Sequence, residues 1–315
     1  MQHPIRHLHH VTATVAEARP DLDFCRGLLG LRLVKRTVNF DNHGVYHFYY
    51  GTEQGAPGTI WTTFPYAGKS VPPGVHGAGQ VVATAFSVPA DSLDAWRDRA
   101  AAAGVAAEEV AERFGAPSLV MHDPSGLALE LVADGRDVRP AWRGGGVESG
   151  LAVRGLHNVT LLLRDRAPTI ALMTGLLGFT VVEEGRDRTR LAVGGDRPGH
   201  LVDLVVSEAA PPARNGLGTV HHVAFAIEGA DEQLRLREEL VGLGLDVTPV
   251  RDRTYFQSIY FREPGGVLFE VATIAPGFTF DEPLDALGTA LKLPPWEEPS
   301  RAAIEAALPP LGDAG

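Results

Sequence analysis

Two histidines and one glutamate in this sequence have the residue types of a metal site. His10 lies in the run LHHVTATV (8–15), His222 lies in VHHVAFAI (220–227), and Glu270 lies in GGVLFEVA. Each histidine is the second of a doublet, and each run alternates apolar and polar residues as a β-strand does. Two imidazoles and one carboxylate leave about three of six octahedral positions open, enough for a substrate and dioxygen. The three residues therefore predict a divalent metal centre with open coordination.

Strand alternation predicts which neighbours share a face with these ligands. Side chains alternate across a strand, so Thr12 shares the face of His10, and Ala224 shares the face of His222. Small neighbours such as Ala224 and Ala272 leave room for a cavity. A single histidine at such a place is usually a partly buried strand residue, but three ligands at equivalent positions favour a metal site.

An internal repeat organises the chain that must position these residues. A shift of 148 residues aligns 8–12 with 156–160 and 27–31 with 175–179, without a gap. Such a repeat indicates duplicated supersecondary units. Each unit begins with an alternating strand, continues with a helical stretch that ends in glycine, and finishes with short strands.

The fold class expected from this repeat is α+β, with four βαβββ modules in two domains. Each domain would be an incompletely closed mixed β-barrel with its helices outside. The expected divisions are an N-terminal domain at 1–139, a linker at 140–150, a C-terminal domain at 151–275 and a tail at 276–315. Since the ligands come from the first and fourth modules, these two modules must lie face to face, and modules two and three form a counterpart without ligands.

The second and third modules carry a degraded version of the ligand set. Asn158 replaces the first histidine, and Val82 or Ala83, depending on the gap, replaces the second. The acids Glu130 and Asp203 remain. We interpret both acids as hydrogen-bonded remnants rather than ligands, because a buried carboxylate requires partners.

Two residues just before the Glu270 strand could act on a bound ligand. Arg253 could stabilise a phenolate or a developing oxyanion, and the Tyr260 hydroxyl could donate a hydrogen bond to a metal-bound oxygen. The alternative for Arg253 is an exposed ion pair with Asp252 or another acid, and for Tyr260 a core position. Other histidines, among them His47, are interpreted as surface residues or neighbours of the ligands.

Composition excludes several classes of protein. Lys and Arg total 28 against 39 Asp and Glu, a net charge of −11, which argues against nucleic acid or an anionic membrane as partner. No apolar run is long enough for a transmembrane helix, and the first residues do not resemble a signal peptide. Cys25 is the only cysteine, so no intrachain disulfide can form. We expect a cytoplasmic protein, with a homo-oligomer left open.

Several segments together resemble one known group, the vicinal-oxygen-chelate superfamily of glyoxalases, bleomycin-resistance proteins and extradiol dioxygenases. Within it, nearly the whole chain is similar to the hydroquinone-type ring-cleaving dioxygenases. The segments that carry the resemblance are LVKRTVNFD (33–41), YHFYYG (46–51), GAPGTIWTTFP (55–65), TVHHVAFAI (219–227), PGGVLFEVA (264–272) and LGTALKLPPWEE (287–298).

The resemblance implies that His10, His222 and Glu270 bind Fe(II), although Mn(II) accepts the same ligands. It also implies catalytic roles around the metal for His9, Thr12, His221, Arg253 and Tyr260. By strict alternation His9 and His221 point away from the ligands' face, unless a β-bulge turns them. A near-neutral pKa would allow one of these two histidines to transfer protons.

The function expected from this resemblance is that of an oxidoreductase in aromatic compound catabolism. It would be an Fe(II)-dependent dioxygenase that cleaves hydroquinone or a substituted hydroquinone, with a small aromatic substrate and O2 as its partners. A glyoxalase-like isomerase or lyase is the nearest alternative, but it usually needs a fourth acidic ligand where this chain has Thr62 and Thr63. Catechol cleavage by an extradiol dioxygenase and metal-free binding of aromatic compounds remain as further alternatives.

Overall fold

The computed structural model describes residues 4–66, 69 and 71–311, except for the side chain of residue 112. Its four modules follow the expected βαβββ order. The first contains β1 (Ile5–Val15), α1 (Ala18–Leu22) continued by a π-helical segment (Asp23–Leu28), β2 (Arg32–Asn39), β3 (Asn42–Gly51) and β4 (Ile60–Pro65). The second contains β5 (Gln80–Val88), α2 (Leu93–Ala102), β6 (Ala107–Arg113), β7 (Ala116–His122) and β8 (Ala128–Ala133).

The second half of the chain repeats this arrangement. The third module contains β9 (Gly155–Leu163), α3 (Ala167–Gly175), β10 (Thr180–Glu184), β11 (Arg188–Ala192) and β12 (Leu201–Val206). The fourth contains β13 (Thr219–Ile227), α4 (Ala230–Gly242), β14 (Arg251–Asp252), β15 (Gln257–Arg262) and β16 (Leu268–Thr273). The tail has three short 3-10 turns (Phe278–Phe280, Leu284–Ala286 and Glu298–Ser300) and α5 (Arg301–Ala307).

The strands form two open, mixed sheets of eight strands, which confirms the α+β class. One sheet has the order β14-β15-β16-β13-β1-β4-β3-β2, and the other has the order β10-β11-β12-β9-β5-β8-β7-β6. Each sheet thus joins a module from one half of the chain to a module from the other. Modules one and four share a sheet, as the ligand positions predict, but they meet edge to edge through β1 and β13 rather than face to face. The domain boundaries at 139 and 150 stay a prediction.

The hydrophobic core lies between the two sheets and follows the strand alternation. Val11 of β1, Val223 of β13 and Phe269 of β16 are fully buried in it, together with Phe86 and Leu161 of the other sheet. The intervening residues of the same strands point to the opposite face of the first sheet. That face carries the candidate site, because a strand that is apolar on one side keeps its polar side chains for the other.

Candidate functional site

The side chains of His10, His222 and Glu270 converge at the centre of the first sheet. His10 Nε2 lies 3.2 Å from His222 Nε2 and 3.3 Å from Glu270 Oε2, and His222 Nε2 lies 2.8 Å from the same oxygen. Strand register explains the convergence. Ala224 is paired with His10 on one side and with Glu270 on the other, and Thr12 is paired with His222. Ala224 bears only a methyl group, so the longer side chains meet above it.

The chemistry of these three side chains fits a divalent metal. Glu270 is fully buried, and its Oε2 accepts no regular hydrogen bond from the described residues. Burial acts to raise the pKa of Glu270, but the contacts with both imidazoles outweigh it and hold the pKa well below its usual range. A buried anionic oxygen beside two Nε2 atoms is the donor set of a facial triad. Within the described part of the chain, His10, His222 and Glu270 are the group of metal-ligating residues whose donor atoms all lie within 4.8 Å of one another.

Two β-bulges place the preceding histidines beside the ligands. On β1, Leu8 pairs with Phe225 and His10 pairs with Ala224, so His9 is an extra residue. On β13, the partners of Thr12 and Ala13 are His222 and Val220, so His221 is likewise extra. A bulge leaves its extra residue outside the ladder and turns its side chain. This is the condition under which both histidines can approach the ligands.

Each bulged histidine contacts the ligand that follows it. The Nδ1 atoms of His9 and His10 are 2.8 Å apart, and those of His221 and His222 are 2.7 Å apart. One nitrogen of each pair must donate and the other accept. If Nε2 of His10 and of His222 binds a cation, Nδ1 of the same ring carries the proton. The preceding histidine then accepts a hydrogen bond from that Nδ1. Such contacts fix the tautomer and orientation of a ligand ring.

The near-neutral pKa expected for the bulged histidines is wrong. Burial lowers the pKa of His221 to about 3 and that of His9 well below its usual range, and the adjacent histidine ligand lowers each further. Both rings are therefore neutral at physiological pH. As neutral imidazoles they offer hydrogen-bond acceptors rather than positive charge.

Ser258 orients the carboxylate of Glu270. It is fully buried on β15, and its hydroxyl donates a short hydrogen bond to Oε1 of Glu270. This contact occupies one carboxylate oxygen and leaves Oε2 facing the two imidazoles. No pattern in the sequence points to Ser258, because its role depends on the pairing of β15 with β16.

Arg253 and Tyr260 lie together at the cavity, with the Nε of Arg253 donating to the Tyr260 hydroxyl at 3.1 Å. Tyr260 is paired with Glu270 across β15 and β16, which brings it near the ligands. Arg253 also forms an ion pair with Asp41, at 3.3 Å, rather than with Asp252. The guanidinium thus joins module four to the turn between β2 and β3 of module one.

Thr12 is linked by hydrogen bonds to His47 on the other half of the site. The Thr62 hydroxyl donates to Thr12 Oγ1 at 2.9 Å, and His47 Nε2 lies 2.8 Å from Thr62 Oγ1. His47 was only one of several histidines without a clear role in the sequence. The alternation of His47 and Tyr49 on β3 was the pattern that could have placed both of them on the site's face.

A cavity of about 210 Å³ opens above the three candidate ligands. His221, His47 and Arg253 contribute to its walls, whereas His9 and Thr12 lie outside it. Its aromatic walls are Phe40, Tyr49, Phe64, Tyr66, Phe256 and Tyr260. Aromatic walls around a few polar groups suit a small planar ring.

The second sheet has no histidine pair at the equivalent positions, and its two acids contact arginines instead. Asn158 pairs with Ala85, and Ala83 stands opposite Thr160, so Ala83 occupies the position of the second histidine. The two remaining acids are occupied by ion pairs. Arg113 contacts Glu130 at 2.5 Å, and Arg190 contacts Asp203 at 2.7 Å. Guanidinium groups thus neutralise the acids, as expected for hydrogen-bonded remnants.

No helix in the described part of the chain is both long and apolar enough to cross a membrane.

Comparison with known proteins supplies relatives over nearly the whole chain. MhqO of Bacillus subtilis (strain 168), named as a candidate ring-cleaving dioxygenase, is 41% identical over 303 residues, which is 96% of each chain. The chlorohydroquinone/hydroquinone 1,2-dioxygenase of Sphingobium indicum is 36% identical over 301 residues, 91% of each chain. The crystal structure of a candidate dioxygenase from Bacillus subtilis subsp. subtilis str. 168 superposes with a TM-score of 0.93 at 39% identity, covering 99% of this chain and 100% of that one.

These relatives confirm the expectation of an oxygenase enzyme. A family model also matches residues 7–131 and 155–271, which contain the four modules almost completely. Both halves of the internal repeat therefore carry the family pattern. The chain belongs to the Glyoxalase/Bleomycin resistance protein/Dioxygenase superfamily.

Proposed function

We propose that this protein is an Fe(II)-dependent dioxygenase that cleaves the ring of hydroquinone or of substituted hydroquinones. The observation that carries the proposal is the convergence of His10, His222 and Glu270 on one cavity wall beside Arg253 and Tyr260. The relative named as a chlorohydroquinone/hydroquinone 1,2-dioxygenase supports the substrate class. Fe(II) in such a site supplies open coordination positions and the one-electron chemistry that dioxygen requires.

His10, His222 and Glu270 would hold the metal, and their converging atoms are His10 Nε2, His222 Nε2 and Glu270 Oε2. His9 and His221 accept hydrogen bonds from the Nδ1 atoms of the two ligands and so keep both rings in the metal-binding tautomer. These contacts hold the rings in place before the substrate enters. Mn(II) would satisfy the same donors, so the choice of Fe(II) rests on the proposed reaction.

Arg253 and Tyr260 would act on the substrate's oxygen. The guanidinium balances the negative charge of a ring hydroxyl that has lost its proton, and the Tyr260 hydroxyl, bonded to Arg253 Nε, orients towards the same space. His221 lines the cavity as a neutral imidazole. Since its Nδ1 accepts from His222, its Nε2 carries the proton and can donate a hydrogen bond to a substrate oxygen there. Thr12, bonded to Thr62, helps to keep the neighbouring wall in place.

Cavity size and composition limit the substrate to a small molecule. A space of about 210 Å³ admits a single ring with small substituents. The aromatic walls exclude water from the reacting atoms, which strengthens each electrostatic contact.

A glyoxalase-like isomerase or lyase is disfavoured by the residue at the fourth ligand position. Thr62 lies there, paired with Thr12, and its hydroxyl is engaged in a hydrogen bond with that residue. A threonine hydroxyl is a poor substitute for a carboxylate as a metal ligand. Three protein ligands leave more open coordination than an isomerase of this kind uses.

Oxygen uptake by metal-loaded protein tests the proposal. Protein loaded anaerobically with Fe(II) should consume one O2 per hydroquinone and place both atoms of ¹⁸O2 in a ring-opened acid. A His222→Ala variant, loaded in the same way, should consume none. Catechol and a metal-free sample are the comparisons for the alternative functions. Absence of uptake by iron-containing protein, or preferential cleavage of catechol, would refute the hydroquinone assignment.

A further inference from the structure

His47 is a cavity residue whose ring is held in one orientation. It lies on β3, with its ring centroid 4.0 Å from that of Tyr49 and 4.2 Å from that of Phe64. It lines the same cavity as the three candidate ligands. Two aromatic neighbours so close leave the imidazole little freedom to rotate, so its nitrogens present fixed positions to a substrate.

The hydrogen bonds around His47 determine which nitrogen of its ring is left as an acceptor. The Thr62 hydroxyl donates its proton to Thr12, so its oxygen receives the Nε2 proton of His47. Nδ1 then carries a lone pair, and among the described residues none donates a hydrogen bond to it. Burial lowers the pKa of His47 well below its usual range, and the nearby histidine ligands lower it further, so the ring remains neutral.

Strand register places the backbone of His47 beyond the level of the ligands, and its ring reaches back from there until Nε2 contacts Thr62. Nδ1, which is nearer to the backbone than Nε2, therefore lies on the distal side of the ring. Thr12 pairs with His222 on one side and with Thr62 on the other, which marks the level of the ligands. Phe64, the ring neighbour of His47, is two residues further along β4. Two residues of strand span about 7 Å, comparable with the separation of the two oxygens of a para-diol.

We propose that His47 selects rings that carry a second hydroxyl para to the metal-bound oxygen, with its Nδ1 accepting a hydrogen bond from that hydroxyl. The inference rests on the proposed function and adds the residue that recognises the distal end of the substrate. Rings without a para hydroxyl would leave Nδ1 without a donor in a cavity with aromatic walls. An unmade hydrogen bond in such a place lowers affinity.

Binding of hydroquinone and of phenol to Fe(II)-loaded protein without oxygen tests this role. The wild-type protein should bind hydroquinone about 3- to 10-fold more tightly than phenol, the range of one neutral hydrogen bond. His47→Phe keeps the aromatic volume but removes the acceptor, and should bind both compounds with similar affinity. His47→Gln provides an amide oxygen and should retain part of the preference. His200→Phe, a histidine outside the cavity, should behave as wild type.

The outcomes separate this inference from the proposed function. If His47→Phe keeps the wild-type preference, or if the wild type binds both compounds equally, the role of His47 is refuted while oxygen uptake can still occur. If the wild type takes up no oxygen with hydroquinone, the proposed function fails and the inference fails with it. Should the phenylalanine variant not fold, as judged by near-UV circular dichroism, His47→Leu gives the same comparison.

Discussion

At the scale of single residues, each candidate ligand has one donor atom free and the other occupied. The Nδ1 atoms of His10 and His222 are bonded to the preceding histidines, and Oε1 of Glu270 accepts from Ser258. The free atoms are therefore the three that converge. Orientation by neighbouring hydrogen bonds reduces the freedom that metal binding would otherwise remove.

Loss of the Ser258 hydroxyl should weaken metal binding. In Ser258→Ala, Oε1 of Glu270 would be buried without its donor and the carboxylate could rotate, so we expect the affinity for Fe(II) or Mn(II) to fall about 10-fold. Titration calorimetry of the metal-free protein with Mn(II) measures this change. Ser118→Ala, which alters a buried serine on β7 of the other sheet, is the matched control. An unchanged affinity in Ser258→Ala would show that the hydroxyl does not orient the ligand.

A second buried carboxylate, Asp21 on α1, should make the stability depend on pH. It accepts hydrogen bonds from Tyr50 and Thr63, both at 2.6 Å, yet burial raises its pKa to about 7. The unfolded chain has a pKa near 4 for this group. The folded state therefore holds the proton more tightly. Its contribution to stability is complete below about pH 4 and is lost as the pH rises through about 7.

Replacement of Asp21 by Asn should remove the contribution of this carboxyl group to the pH dependence. The buried neutral histidines change the stability with pH in the opposite direction, and they do so in both proteins. We therefore expect the free energy of unfolding of the wild type, minus that of Asp21→Asn, to decrease by up to about 4 kcal/mol between pH 4 and pH 8. Urea unfolding at several pH values measures both. Asp231→Asn, at an exposed position of α4, serves as the control and should follow the wild type. Parallel curves for wild type and Asp21→Asn would contradict the prediction.

At the scale of elements, alternation predicted the ligand faces, but bulges and the tail complete the site. His10 and Glu270 followed from a period of two residues along each strand, whereas His9 and His221 required an extra residue in β1 and β13. The same device recurs in the second sheet, where Val82 and His157 are extra. The second sheet keeps both bulges although it has lost the histidine ligands. The bulges are therefore a feature of the repeated fold and do not depend on a metal site.

The tail after β16 binds to the edge strand β2 through a buried lysine. Lys35 is fully buried, contacts Asp281 at 2.6 Å and forms an additional short ion pair with Glu282. Further along, Trp296 packs on Phe40, whose ring lines the cavity. The tail, which had no chemical role in the sequence analysis, thus supports one wall of the site.

Removal of the Lys35 charge should destabilise the protein strongly. In Lys35→Met, the carboxylate of Glu282 stays buried without its cation, at a cost of about 3–5 kcal/mol in unfolding free energy. Chemical unfolding curves measure the loss. A double variant, Lys35→Met with Glu282→Leu, should recover part of it, because the more deeply buried of the two carboxylates is then gone and only the partly exposed Asp281 remains without its cation. Lys292→Met, which alters a tail lysine that is only half-buried, is the control. A loss below 1 kcal/mol in Lys35→Met would contradict this account.

At the scale of the whole molecule, the site exists because each sheet joins modules from both halves of the chain. His10 and His222 are 212 residues apart in sequence, yet they lie on paired strands. The hydrogen bonds between β1 and β13, and between β5 and β9, connect the halves independently of the linker. Metal binding should therefore depend on the association of the halves and not on an intact linker.

Cleavage of the folded protein in the linker tests this dependence. A protease site inserted between Ser149 and Gly150, both exposed, should be cut without separating the halves. The cleaved protein should elute as one species in size-exclusion chromatography and keep one metal per pair, as measured by elemental analysis. The halves separated in denaturant should bind none. Stoichiometric metal in either separated half would refute the shared site.

The amino-acid sequence by itself determined the four modules, the ligand residue types and the loss of ligands in modules two and three. These follow from local patterns, since strand alternation, glycine caps and internal repeats are written in neighbouring residues. Only the tertiary structure decided the edge-to-edge pairing, the partners Ser258 and Asp41, the neutral state of His221 and the place of His47. Those features depend on hydrogen-bond register between distant strands and on burial, and neither is encoded within a single segment.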